Sequence, residues 1–273
     1  MGPAIIIIAV TAVLLLLPLF ILAPYKAGKK KTAPFYGQNF AHRGLYEKDQ
    51  SIPENSLAAF MRAADNGYGM ELDVQLSRDG RVVVFHDDTL GRMCGVDSRV
   101  DELDYDQLIE LKLKDTEERI PLFSEALERV DGRTPIIVEL KNGRKNKELC
   151  QKTLAMLREY KGVTCVESFN PMIVAWFRFH APDILRGQLA QQPEKYRRSG
   201  MSALQSGALG STALNFAARP NFIAYCIGKK PFAVRFAEWL GAMKVAWTSH
   251  STDTEKDFDA VIFEHYTPDI RYK

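Results

Sequence analysis

Residues 39–87 read NFAHRGLYEKDQSIPENSLAAFMRAADNGYGMELDVQLSRDGRVVVFHD. Three apolar runs are joined here by two very unequal connections, and the connections decide the topology. Between NFAH (39–42) and YGMELDV (68–74), Leu57, Phe60, Met61 and Ala64 fall at helical spacing, Asn55 stands where an N-cap would, and Gly67 supplies the stop. These two runs form a strand–helix–strand unit. The third run, RVVVFHD (81–87), follows after only a short turn around SRDG (77–80). A crossover to a parallel strand needs about a dozen residues, so this run must return antiparallel, as a hairpin.

Strand-length apolar runs recur with helical segments between them: TPIIVELK (134–141), VTCVESF (163–169), ILRGQLA (184–190), NFIAYCI (221–227), KVAWTS (244–249) and DAVIFE (259–264). Strands alternating with helices predict a parallel sheet. With the hairpin set aside, eight strands remain, the number that closes a (β/α)8 TIM barrel of about 250 residues. The expected fold is therefore α/β, one such barrel over residues 37–273 with an insertion after the second strand at about 78–118. Two segments predict departures from regularity. The stretch from Gln191 to Pro220, rich in Gln, Ser, Gly and Ala, is long for a connection and reads as a helix with a loop over the barrel mouth. HSTDTEKDF, before the last strand, is short for a helix and predicts an irregular closure.

Ahead of the barrel, residues 4–23 (AIIIIAVTAVLLLLPLFILA) carry no charge. At ~1.5 Å per residue such a run spans a hydrocarbon core of ~30 Å, which predicts a transmembrane helix. Lys26, Lys29, Lys30 and Lys31 follow it in a basic linker (24–36), and no Lys or Arg precedes it. A cleaved signal peptide would carry a basic start, and the lysine bias places the following domain on the cytoplasmic side. The expectation is a single-pass membrane protein.

Formal net charge is +2 at pH 7 and near neutral once those lysines are set aside, so no basic field draws nucleic acid. KNGRKNK (141–147) reads as a solvated helix start. Cys94, Cys150, Cys165 and Cys226 have neither CxxC spacing nor a nearby His, which excludes a zinc framework and suits a reducing compartment.

Reactive groups of such barrels sit at the carboxyl ends of strands, where His42, Glu71, Asp73, Glu139 and Lys141 fall. Glu71 and Asp73, spaced by two, leave one face of a strand, as do Glu139 and Lys141. Three inward carboxylates need positive charge. A divalent cation with oxygen ligands, Mg²⁺ or Ca²⁺, would hold all three ionised; pairing with Arg43 and Lys141 would do so as well, and spacing alone leaves both open. His42 and His86 each end an apolar run and together offer an acid and a base with unperturbed pKa near ~6.5.

HRG (42–44), PEN (53–55), ELDVQLSRDG (71–80), VVVFHD (82–87), IPLFSEAL (120–127), VELK (138–141), SFN (168–170) and WT (247–248) follow in an order and spacing that resembles the glycerophosphodiester phosphodiesterase family. The resemblance runs from Phe40 onward and implies a barrel with a small insertion after the second strand, and a divalent metal held by Glu71, Asp73 and Glu139. It further implies His42 and His86 as the acid-base pair, Arg43 on the phosphate, Lys141 beside it and Trp247 walling the substrate pocket. PEN itself reads as a helix start, with Asn55 structural. FEHYTPD (263–269) departs from the family's Thr-Asp before a Pro, and WTSHS replaces the usual Trp-Thr-Val-Asn. The expected activity is metal-dependent hydrolysis of glycerophosphodiesters to an alcohol and glycerol 3-phosphate. Three alternatives stand beside it: lysophospholipase D-type cleavage of lipid diesters, a catalytically idle membrane-tethered binding barrel, and a metal-dependent aldolase or isomerase. The last has no use for two histidines, a phosphate-facing Arg and a hairpin that delivers His86.

Overall fold

The computed structural model describes residues 3–273, the side chains at positions 3–7, 9, 12, 14 and 15 excepted. Its strands are β1 (Asn39–Ala41), β2 (Gly69–Leu76), β3 (Val82–Val84), β4 (Ile136–Leu140), β5 (Thr164–Ser168), β6 (Leu185–Ala190), β7 (Phe222–Cys226), β8 (Met243–Ser249) and β9 (Ala260–Phe263). Eight run parallel, and β1 pairs with β2 on one side and β9 on the other, so the sheet closes. β3 stands outside the barrel, antiparallel to β2 with Val74 opposite Val84. The barrel and its hairpin follow the connection lengths read from the sequence.

Side-chain alternation along the strands separates two apolar layers. Met70, Leu72, Val74, Val138 and Leu140 face outward and pack with Phe123, Ala126, Leu127 and Val130 of the helix Phe123–Val130. Phe40, Ile137, Cys165, Leu185, Phe222, Val245 and Ile262 fill the interior. Two residues beyond Ile137 and Cys165 come Glu139 and Glu167, so the same inward face that is apolar below becomes acidic at the mouth. The interior is closely fitted: a Cβ on Gly187 would lie 2.0 Å from Cε2 of the buried Phe222. Gly187→Ala should therefore cost about 1–3 kcal/mol of stability through overpacking, read as a lowered denaturation midpoint at unchanged slope.

The insertion has an apolar centre of its own, built from Val83, Phe85, Leu90, Met93, Val100, Leu108, Leu113 and Ile120. Since Val83 and Phe85 belong to the hairpin, this centre braces the strand that carries His86.

Several local expectations are corrected. Ser56, not Asn55, caps the helix Leu57–Asp65, its hydroxyl accepting from Ala59 N at 3.1 Å. Residues 191–220 form three short helices, Pro193–Arg198, Ala203–Gly210 and Asn215–Ala218, instead of one helix and a loop. The basic stretch 24–36 is not a free linker: Tyr25 N donates to Pro220 O, Lys31 Nζ donates to Asp183 O, and the buried Phe35 stacks on Phe40 at 5.9 Å beneath the barrel. At the closure, six residues (Thr252–Asp257) form a 3₁₀ helix and the β8–β9 register shifts between Ala246 and Ser249, the irregularity that the short connection predicts.

The stretch 4–23, expected to span a membrane, lies in the helix Pro3–Leu22. Several of its side chains fall outside the described residues, and among the described residues no helix is long and apolar enough to cross a membrane. The described end of this helix is bound to protein. Leu22 is buried with Ala190, Ile223, Tyr225, Val234 and Ala237, and Phe20 stacks on Phe216 at 6.5 Å.

Candidate active site

A cavity at the carboxyl ends of the strands is lined by His42, Arg43, Glu71, His86, Glu139, Glu167, Phe169, Trp247 and Thr248, with Leu189 and Ile262 below. The strands explain the gathering. Asp73 lies opposite Glu139 in the β2–β4 register, and Glu139 opposite Glu167 in β4–β5, so three neighbouring strands end in inward acids.

Glu71, Asp73 and Glu139 are buried, and each offers one oxygen within 4.8 Å of the others. Lys141 Nζ lies 3.0 Å from Glu139 Oε1 and 3.2 Å from Asp73 Oδ1. Arg43 Nη1 donates to Glu54 at 2.7 Å, and Arg43 Nε lies 3.7 Å from Asp73 Oδ2. The ion pairs that spacing left as the rival of a metal are thus formed, and the acid cluster suited to a metal is formed with them. Burial, then the charges of Asp73 and Glu139, push the Glu71 carboxyl well above its usual range. Burial raises Glu139 too, against the opposing pull of Lys141. For Asp73, burial is overcome by Lys141, His86 and Arg43, which hold it below the ordinary carboxylate range. Burial would lower Lys141 and Arg43, but the surrounding acids more than offset this and both pKa values rise. With Glu167 added, four buried acids face two fixed cations, and a surplus of hard oxygen donors is what a divalent cation fits.

His42 presents Nε2 4.0 Å from Glu71 Oε2, and its Nδ1 is 2.8 Å from Glu264 Oε2. Burial is the largest influence on His42 and lowers its pKa below 6.5, with Glu264 pulling the other way. His86 enters from the hairpin, Nδ1 2.6 Å from Asp87 Oδ1, while Gln75 Nε2 donates to the backbone on either side at Phe85 O and Asp87 O. Trp247 donates from Nε1 to Ala224 O at 2.9 Å and meets Phe169 edge-on at 5.3 Å. All eight residues singled out in the sequence surround one mouth: seven line the cavity or its ion pairs directly, and Trp247 forms its aromatic wall.

Sequence reading missed three contributors. Asn55, which does not cap the helix, binds a site carboxylate instead: its Nδ2 donates to Asp73 Oδ2 at 2.8 Å and its Oδ1 accepts from Asp73 N at 3.3 Å, which orients that carboxylate. Glu54 accepts from both Arg43 and Arg92. Glu167, buried with Oε2 lacking a hydrogen-bond partner, is pushed well above its usual pKa by burial and then by Glu139 and Asp73. Its position in VESF, two after an inward cysteine, was the available signal.

The profile of the glycerophosphoryl diester phosphodiesterase family matches residues 42–261. A glycerophosphodiester phosphodiesterase of Caldanaerobacter subterraneus is 32% identical over 162 residues, 55% of this chain and 65% of that protein. Lysophospholipase D GDPD1 of Rattus norvegicus is 33% identical over 157 residues, 52% of this chain and 48% of that protein. These matches therefore span less than two thirds of either relative's length. Among solved structures, an Oleispira antarctica phosphodiesterase in complex with the product sn-glycerol-3-phosphate superposes with TM-score 0.67 at 24% identity, over 84% of this chain and 93% of that one. A Silicibacter pomeroyi protein superposes with TM-score 0.68 at 21% identity, over 90% and 93%. At such identity these structures speak for the fold, and the match over residues 42–261 speaks for the family. The chain belongs to the glycerophosphoryl diester phosphodiesterase family.

Proposed function

We propose that this protein hydrolyses glycerophosphodiesters to an alcohol and glycerol 3-phosphate, with His42 and His86 as the acid-base pair. The observation that carries the reading is the convergence of three buried carboxylates, two histidines and a half-buried arginine on one cavity. Glu71, Asp73 and Glu139 would hold a divalent cation, Mg²⁺ or Ca²⁺, whose Lewis acidity offsets charge on the phosphoryl oxygens. The chain's own residues supply the rest. Arg43, clamped by Glu54, directs fixed positive charge at the same oxygens. One histidine takes a proton from the attacking water as its oxygen bonds to phosphorus. The other gives a proton to the departing alcohol as the P–O bond breaks. Lys141 holds Asp73 and Glu139 in place, and Trp247 with Phe169 makes the apolar side against which the organic part of the diester lies.

Lipid-derived diesters are the favoured variant within this class. The similarity to a protein named lysophospholipase D supports it, as does the apolar segment 4–23 with Lys26, Lys29, Lys30 and Lys31 directly after it. On this reading that segment anchors the barrel at a membrane with the catalytic domain on the cytoplasmic side, which raises the local concentration of lipid substrates. The full chain should stay with membranes through an alkaline carbonate wash; release into the wash would refute the anchor. The activity itself is tested with a panel of soluble glycerophosphodiesters and lysophospholipids, assayed for alcohol and glycerol phosphate. Turnover of at least one, at a rate raised by Mg²⁺ or Ca²⁺, is expected, and silence across the panel would favour an idle binding barrel.

A further inference from the structure

The end of β9 departs from the family pattern at FEHYTPD, and there Glu264 reaches across the barrel closure to His42. His42 N donates to Phe263 O at 2.9 Å, and Glu264 N donates to Ser249 O at 3.0 Å, so backbone bonds fix both residues beside each other. Glu264 Oε2 lies 2.8 Å from His42 Nδ1 and accepts from the Tyr46 hydroxyl at 2.8 Å. Its other oxygen faces His250 Nε2 at 3.8 Å and His265 Nε2 at 3.9 Å. Side chains that can donate thus face both carboxylate oxygens, and the Glu264 pKa falls to about 2: burial would raise it, but the His42 bond leads the groups that lower it.

An ionised carboxylate only accepts hydrogen bonds, so Nδ1 of His42 must carry a proton. That choice leaves Nε2, 4.0 Å from Glu71 Oε2, as the nitrogen that faces the cavity. It also forbids the flipped ring, which would turn Nδ1 away from its acceptor. We infer that Glu264 is a positioning residue that fixes the tautomer and ring orientation of His42 toward the scissile phosphodiester. The inference rests on the reading of His42 as an acid-base group. A structural clasp is the competing role, since Glu264 also holds Tyr46, and Tyr46→Phe removes that clasp while sparing the His42 bond.

The test uses the full chain and a soluble glycerophosphodiester that it turns over. Glu264→Met keeps the length of the side chain without an acceptor and should lower kcat roughly 10- to 100-fold with KM little changed. Glu264→Gln retains an acceptor oxygen and should recover part of that loss, and Tyr46→Phe should stay near the parent. In ¹⁵N-histidine spectra the parent should show His42 as the Nδ1–H tautomer, and Glu264→Met a mixture. Parent-like kcat in Glu264→Met, or an unaltered His42 tautomer, would overturn the inference, as would a Tyr46→Phe loss equal to that of Glu264→Met. Where Glu264→Met does not fold, Glu264→Asp, which draws the carboxylate back by one methylene, must lower kcat for the inference to stand. His42→Ala separates the two claims: if it abolishes turnover while Glu264→Met does not, only the positioning role fails, and if it retains turnover, the reading of His42 fails first.

Discussion

His42→Ala and His86→Ala are each expected to lower kcat by roughly 10² or more, the usual worth of one positioned acid-base group. The two residues arrive from different elements, His42 from the end of β1 and His86 from the hairpin braced by the insertion's own core. Neither can stand in for the other without moving a strand. The double variant should lose little beyond the poorer single one, because residues that act as a unit are not additive. Far-ultraviolet circular dichroism and a denaturation curve on each variant separate lost chemistry from lost fold. Near-parent kcat in either folded variant would remove that histidine from the reaction.

Glu71→Ala is expected to abolish turnover at ordinary metal concentration and to recover it only at much higher Mg²⁺ or Ca²⁺. Glu71 contributes one of three buried oxygen donors, and its Oε2 also accepts from Arg43 N at 3.0 Å. Its removal therefore costs a ligand and loosens the loop that presents His42 and Arg43. Because burial and the Asp73 and Glu139 charges push Glu71 above its usual pKa, acid should weaken metal affinity early. The sign follows from linkage: a proton on Glu71 competes with the cation, so the metal required for half-maximal turnover should rise as pH falls. Titrating metal at several pH values checks both points. A metal requirement unchanged in Glu71→Ala would take Glu71 out of the ligand set.

Much of this molecule was legible because its connections are unambiguous. The short turn around SRDG can only make a hairpin, and the helical spacing of Leu57, Phe60, Met61 and Ala64 can only make a crossover, so the barrel follows from local rules. Glu71 with Asp73, and Glu139 with Lys141, were legible because a period of two fixes a shared face. What failed was whatever depended on a turn or on distant chain. Asn55 has positive φ (54°), which lets Ser56 take the cap and frees the amide to reach Asp73. Glu264 meets His42 across 222 positions, a contact that exists only once β1 and β9 pair. The packing of the basic stretch 24–36 was not legible because its lysines dominate its composition, while Phe35, which stacks on Phe40, is a single apolar side chain.

Metal-dependent hydrolysis is tested most directly by stripping the full chain with a chelator, removing the chelator, and following alcohol release from a glycerophosphodiester as Mg²⁺ or Ca²⁺ is returned. Stripping should abolish turnover, and one of the two ions should restore it saturably, through the Glu71, Asp73 and Glu139 cluster. Undiminished turnover in the stripped enzyme would contradict metal dependence.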